Sequence, residues 1–139
     1  MKDYPDGIDY LILNAGIMAL PVKEYTANGF EKQIGVNHFG HAFLTSLLMG
    51  RLESQASPVR VISLASNAHR ILKRMYKLHV GDLHSDHKKY NAWANYAQSK
   101  LCNILYARSL AGVLEANEVA GNAGEGWCVL VLSGGIFFV

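Results

Sequence analysis

Tyr96 and Lys100 stand four apart in the run Tyr96-Ala97-Gln98-Ser99-Lys100. On a helix, positions i and i+4 share a face, so phenol and ammonium would be neighbours. A free tyrosine titrates at about pH 10, too high for proton transfer at neutral pH. A nearby cation favours the phenolate and brings that value down. The pair could then give a proton to, or take one from, an alcohol or carbonyl oxygen. Taken alone, this spacing more often marks an amphipathic helix with the tyrosine half buried and the lysine solvated. Ser66 strengthens the chemical reading. It follows a β-type run thirty residues before Tyr96, where its hydroxyl could donate to the same substrate oxygen. A plain turn serine is the alternative. Asn37 is a poor helix former inside what reads as a long helix. It could bend that helix or hold a water through its amide, or be a tolerated polar residue. Asn14-Ala15-Gly16 closes an earlier apolar run, and Gly16 would let the backbone approach a planar ligand. An ordinary strand-to-loop turn would look the same.

The elements around these residues alternate. Ile8 to Leu13 is a short, β-friendly run, as expected of a doubly covered parallel strand. A long helical pattern follows, with Asn28 as its expected cap and Glu31 three residues on, where a capping-box carboxylate belongs. Phe30, Ile34, Phe43, Leu44, Leu47, Leu48 and Leu52 keep helical spacing and predict its apolar stripe. Val59 to Leu64 is the second strand. His69 to Tyr90 is polar, rich in Lys and His, and reads as a long loop. A helix from about Ala92 to about Glu115 is expected to bury Ala97, Leu101, Ile104, Leu105 and Ala111. Residues 121–126 form a glycine-rich turn, and Trp127 to Leu132 is a third strand ended by Ser133-Gly134-Gly135. Strands separated by helices pair in parallel. The predicted fold is therefore α/β: a three-layer parallel sheet, one βαβαβ half of a doubly wound Rossmann arrangement. Ligands in such sheets sit outside the carboxyl ends of the strands, where Asn14, Ser66 and Ser133 fall.

A chain of 139 residues, half of them hydrophobic, predicts one domain, 1–139. A net charge of +2 gives no argument for nucleic acid as a partner. No apolar run approaches the ~20 residues that a membrane span needs. The first residues hold no apolar signal core. Cys102 and Cys128 make no disulfide framework, which fits a reducing, cytoplasmic setting. His79, His84 and His87 match no ligand spacing, so no metal site is expected. Arg70, Lys73, Arg74 and Lys77 read as a solvated face, with a cofactor phosphate or a membrane surface as the alternative.

Taken together, these residues resemble the short-chain dehydrogenase/reductase family. Leu13-Asn14-Ala15-Gly16 resembles its NAG motif after the fourth strand. Val36-Asn37-His38-Phe39-Gly40-His41 resembles the segment with its proton-relay asparagine. Arg60 to Ser66 is similar to the fifth strand with the catalytic serine, and Tyr96-Ala97-Gln98-Ser99-Lys100 to the active-site helix. The likeness is strongest to the retinol-dehydrogenase-like and WW-domain-oxidoreductase-like branch. It covers roughly residues 8 to 115 and reaches more weakly to Gly135.

The resemblance implies Tyr96 as general acid/base, Lys100 lowering its pKa and holding the nicotinamide ribose, Ser66 polarising the carbonyl, and Asn37 ordering a relay water. Asn14, Ala15, Gly16, Tyr96, Lys100 and Gly135 would line the pocket of an NADP or NAD cofactor. It implies reduction of a carbonyl or oxidation of an alcohol, lipid-like substrates included, and a homodimer through the two long helices. The pattern also departs from the family. No G-x-x-x-G-x-G precedes Asn14, and Gly134 stands where the family has proline. The expectation is a chain truncated at both ends, with the catalytic wall and without the cofactor floor. The alternative function is a catalytically inactive, dimerising interaction module.

Overall fold

The computed structural model describes residues 7–55, 57–70, 82–83, 89–119, 128–133 and 135–138. Three strands, β1 (Tyr10–Leu13), β2 (Arg60–Leu64) and β3 (Cys128–Ser133), pair in parallel in that order. A fourth, β4 (Gly135–Phe138), returns antiparallel to β3 with Ser133 opposite Gly135. The sequence pattern predicts the three parallel strands and ends at Gly135. The apolar run beyond that glycine pairs back instead of leaving the sheet.

Between β1 and β2 the chain forms a continuous helical stretch: α1 (Lys32–Ile34), a π turn (Gly35–Phe39) and α2 (Gly40–Ser54). Asn28 does not cap it. Glu31 does, its carboxylate accepting from the Ile34 amide at 3.0 Å. The cap moves because Gly29, at φ 80°, closes a tight excursion that pairs Tyr25 with Glu31. The π turn is centred on Asn37, so the expected bend at that residue is a local widening, with Gly40 N–H bonded to the Gly35 carbonyl. Between β2 and β3 runs α3 (Ala92–Val119), a few residues longer than the sequence pattern predicts. The expected loop from His69 to Tyr90 and the turn at 121–126 lie largely or wholly outside the described residues.

The strand register explains the core. Leu11, Val61 and Val129 are opposite one another, as are Leu13, Ser63 and Val131. All six side chains are buried beneath the helices, together with Leu52 of α2 and Ala107, Leu110 and Leu114 of α3. The alternate positions face the other way, and Tyr10 and Ile12 are more than half exposed. Of the three layers, the described residues thus supply the sheet and the helices on one face.

The helices correct part of two predicted stripes, in which Ile34, Leu52 and Ala97 are buried as expected. Phe43 and Leu47 are about two-thirds exposed (65% and 66%), and Leu44 is exposed too. On α3, Leu105 is exposed, whereas Ser99, Lys100 and Asn103 are buried. The inward face of α2 carries His41, Thr45 and Leu52. Polar side chains turn inward here because distant segments supply their hydrogen-bond partners, which hydrophobic periodicity does not register. No described helix is long and apolar enough to cross a membrane.

Gln55 fixes the start of the sheet. Its amide accepts from Ile8 N at 2.9 Å and donates to the carbonyls of Ile8 and Ser57 at 3.0 and 2.9 Å. Gln55→Leu strands those backbone groups and should cost roughly 1–3 kcal/mol, read from the midpoint of urea unfolding.

Candidate active site

The carbonyl of Leu64, the last residue of β2, accepts two side-chain hydrogen bonds from α3, one from Lys100 Nζ and one from Asn103 Nδ2, both at 3.0 Å. The lysine is thereby held at the carboxyl end of the sheet, two residues before Ser66. Its amino group is buried, and burial holds its pKa below the usual lysine range. Nζ lies 5.8 Å from the centre of the Tyr96 ring. The helical spacing therefore does bring the two groups side by side. Trp93 packs edge-on against the same ring, with centroids 6.3 Å apart.

Asn37 joins this wall to the end of β1. Its Oδ1 accepts from Ile17 N at 2.8 Å, and its Nδ2 donates to Ile17 O and to Ser99 Oγ, both at 2.9 Å. Ser99 Oγ in turn donates to the Tyr96 carbonyl at 2.7 Å. Both amide hydrogens of Asn37 are thus spent on protein groups, so the water expected on that amide has no donor there. Gly16 packs against the same groups. A Cβ at that position would stand 3.3 Å from Asn37 Oδ1 and 3.5 Å from Lys100 Nζ. A side chain at position 16 would press on the Asn37 amide and touch the ammonium.

The other predicted residues are placed less tightly. Asn14 and Ala15 follow β1 and are exposed. Ser66 Oγ accepts from Ala68 N at 3.2 Å, the turn geometry of the alternative reading, and no hydrogen bond joins it to Tyr96. Gly135 opens β4 in ladder register with Ser133. Of the basic cluster only Arg70 is described; Lys73, Arg74 and Lys77 lie outside the described residues, as do His79, His84 and His87. Among the described residues no group of metal-ligating side chains comes together.

Several residues that matter carried no motif. Gln33 is fully buried, accepts from Ala19 N at 2.7 Å, and donates to Tyr90 Oη at 3.1 Å and Ala92 O at 3.0 Å. Tyr90 Oη donates to Leu20 O at 2.9 Å. These bonds hold Ala19 at φ 50°, a left-handed conformation costly for alanine. Asn103 also pairs with His38 Nδ1 at 3.2 Å. Asn103 does close a motif, the run Tyr96 to Asn103 that resembles the active-site helix, but no role was read for it.

No protein-family model matches the chain. It is 46% identical over 109 residues to retinol dehydrogenase 12 of Bos taurus, covering 78% of this chain and 32% of that protein. It is 42% identical over 116 residues to retinol dehydrogenase 13 of Homo sapiens, covering 84% and 33%. A solved short-chain dehydrogenase/reductase from Burkholderia phymatum, in complex with NAD, superposes with a TM-score of 0.55 at 18% identity, over 91% of this chain and 38% of that one. This chain belongs to the short-chain dehydrogenase/reductase family. It spans about a third of the length of the curated short-chain dehydrogenases it matches. A crystal structure of an uncharacterised protein from Mycobacterium paratuberculosis agrees more closely, with a TM-score of 0.73 and 36% identity over 96% of this chain and 44% of that one.

Burial also sets a pH response. His38 and His41 are both held below the ordinary histidine pKa of 6.5, chiefly by desolvation. As pH falls through 6.5, unfolded histidines take up protons that the folded ones still refuse. Stability should therefore be full above 6.5 and decline below it. Lys100 adds a rise in the alkaline range, because the folded lysine releases its proton before the unfolded one does at 10.5. Urea midpoints measured from pH 8 downward should fall below pH 6.5, and His38→Gln with His41→Gln should flatten that fall.

Proposed function

We propose that the chain forms the catalytic wall of an NAD- or NADP-dependent oxidoreductase that reduces a carbonyl or oxidises an alcohol. The observation that carries this reading is Lys100, buried at the end of β2 on the Leu64 carbonyl, beside the Tyr96 ring and against Gly16. Gly16 is exposed and carries no side chain to keep a planar ligand from the backbone there. When bound, the nicotinamide group supplies the hydride chemistry.

The protein's own residues handle the rest. Lys100 has N–H groups beyond the one spent on Leu64, and these suit a ribose hydroxyl. Its ammonium stands 5.8 Å from the centre of the Tyr96 ring. Tyr96 Oη then passes the proton to or from the substrate oxygen, and Ser66 Oγ donates to that same oxygen. Asn37 keeps the chain after β1 in place, and with it Gly16. Asn14 and Ala15 line the cofactor side, with Gly135 at the far strand. Residues 1–139 would act as one partial nucleotide-binding domain, in a reducing, cytoplasmic compartment that suits two free thiols. The relatives are named for retinol, which favours a lipid-like alcohol or aldehyde as substrate.

A second reading has an observation of its own. Phe43, Leu44 and Leu47 of α2 form an exposed apolar stripe beside a groove of about 420 Å³ lined by Thr26, Phe30 and Phe39. That stripe supports a homodimer through the long helices, and with it a catalytically inactive, dimerising module. NADPH fluorescence separates the two readings. The oxidoreductase should bind NADPH saturably, and Tyr96→Phe should cut turnover by roughly 10²- to 10⁴-fold while leaving that binding intact. A chain that dimerises in sedimentation and shows no saturable NADPH signal would be the module.

A further inference from the structure

Trp93, Tyr96 and Lys100 are spaced three and four apart on α3, so they stand in line on one face of the helix. The contacts follow that line. Lys100 Nζ is 5.8 Å from the centre of the Tyr96 ring, and the Trp93 ring is 6.3 Å from it on the N-terminal side, at an interplanar angle of 86°. The chain leaving β1 runs beside the same stretch in the opposite direction. Gly16 lies against Lys100, Ala19 meets Ala92 through the Gln33 amide, and the Leu20 carbonyl accepts from Tyr90 Oη. Asn37 holds Ile17 and Gln33 holds Ala19, so the backbone on both sides of Met18 is fixed. Two large apolar side chains of these segments are left open to solvent, Trp93 at 54% and Met18 at 58%. A single exposed apolar side chain is ordinary. This indole differs in lying against the ring that carries the proton in the reading above.

We propose that Trp93 is the residue on which the apolar body of the substrate rests, on the side of Tyr96 away from Lys100. This rests on the oxidoreductase reading, which puts the cofactor ribose on Lys100 and the substrate oxygen on Tyr96 Oη. The hydride donor then takes the Lys100 side of the ring, and the carbon skeleton behind the oxygen is left the N-terminal side, where Trp93 is the next neighbour. An indole suits that task. It offers a broad, rigid apolar surface with few rotamers to freeze, and its π system favours flat partners. Met18, on the neighbouring fixed segment, adds a thioether side chain that adapts its shape. The site should therefore prefer an alcohol or aldehyde on a flat, conjugated or ring-bearing skeleton to a short aliphatic one. That preference is a contact made by Trp93, separate from the groups that move the proton.

The test uses the full chain carrying Trp127→Phe, which leaves Trp93 as the one tryptophan of the two. Acrylamide should quench its emission, and cinnamyl alcohol should shield it saturably where propanol at the same concentration does not. In NADPH-dependent turnover, Trp93→Ala should lower the preference for cinnamaldehyde over propanal, taken as the ratio of their kcat/KM values, by roughly tenfold. The loss should fall mainly on KM for cinnamaldehyde, and Trp93→Phe should restore most of it. Emission that cinnamyl alcohol does not shield, or a preference unmoved by Trp93→Ala, overturns the proposal. So does shielding that appears on raising the protein concentration alone, which would mean that a second copy covers the indole. Should Trp93→Ala not fold, the shielding of Trp93 in the Trp127→Phe chain decides the matter. Saturable shielding without turnover supports the contact and sinks the oxidoreductase reading, and turnover without shielding does the reverse.

Discussion

The carbonyl of Leu64 is the hinge on which the site turns. It sits at the last residue of a parallel strand, where the ladder runs out and a backbone acceptor becomes available. Two side chains of α3 take it, Lys100 and Asn103, and the helix is thereby fixed in rotation as well as position. A lysine this deeply buried would be costly without a fixed acceptor. With one, its charge becomes a directed feature of the strand end, next to the Tyr96 ring and Gly16.

A second set of bonds ties the β1 side to the same helix. Asn37 and Gln33, both on the stretch running from α1 into the π turn, reach back to residues 17 and 19 and forward to Ser99 and Ala92. Each amide bridges segments that are far apart in the chain. The inner surface of this helical layer is accordingly polar near the site and apolar further down, where Leu52, Ala107, Leu110 and Leu114 meet the strands. The outer surface of α2 is left with the phenylalanine and leucines that composition alone would send to the core.

Hydrophobic alternation and turn chemistry made the three parallel strands legible within one or two residues at each end, and the order of elements followed from them. The motif residues were legible as well, since Tyr96 and Lys100 share a helix face by spacing alone and Gly16 follows a strand. The stripes of the two helices were not. Phe43, Leu44, Leu47 and Leu105 fit a buried period as well as His41, Thr45 and Asn103 do, and hydrophobicity favoured the wrong set. The N-cap at Glu31 was missed for a related reason, because a positive φ at Gly29 and a bridge from Tyr25 reset where the helix begins.

By itself the sequence determined which residues could act and which strand or helix would carry each of them. Short-range rules suffice there, because period, capping and turn preference are properties of neighbouring residues. Only the tertiary structure decided that Lys100 is buried and bonded, that the Asn37 amide is consumed by Ile17 and Ser99, and that the His41 ring lies unpaired beside the ammonium. Those facts depend on partners 20 to 62 positions away, whose meeting is set by strand register and helix rotation together.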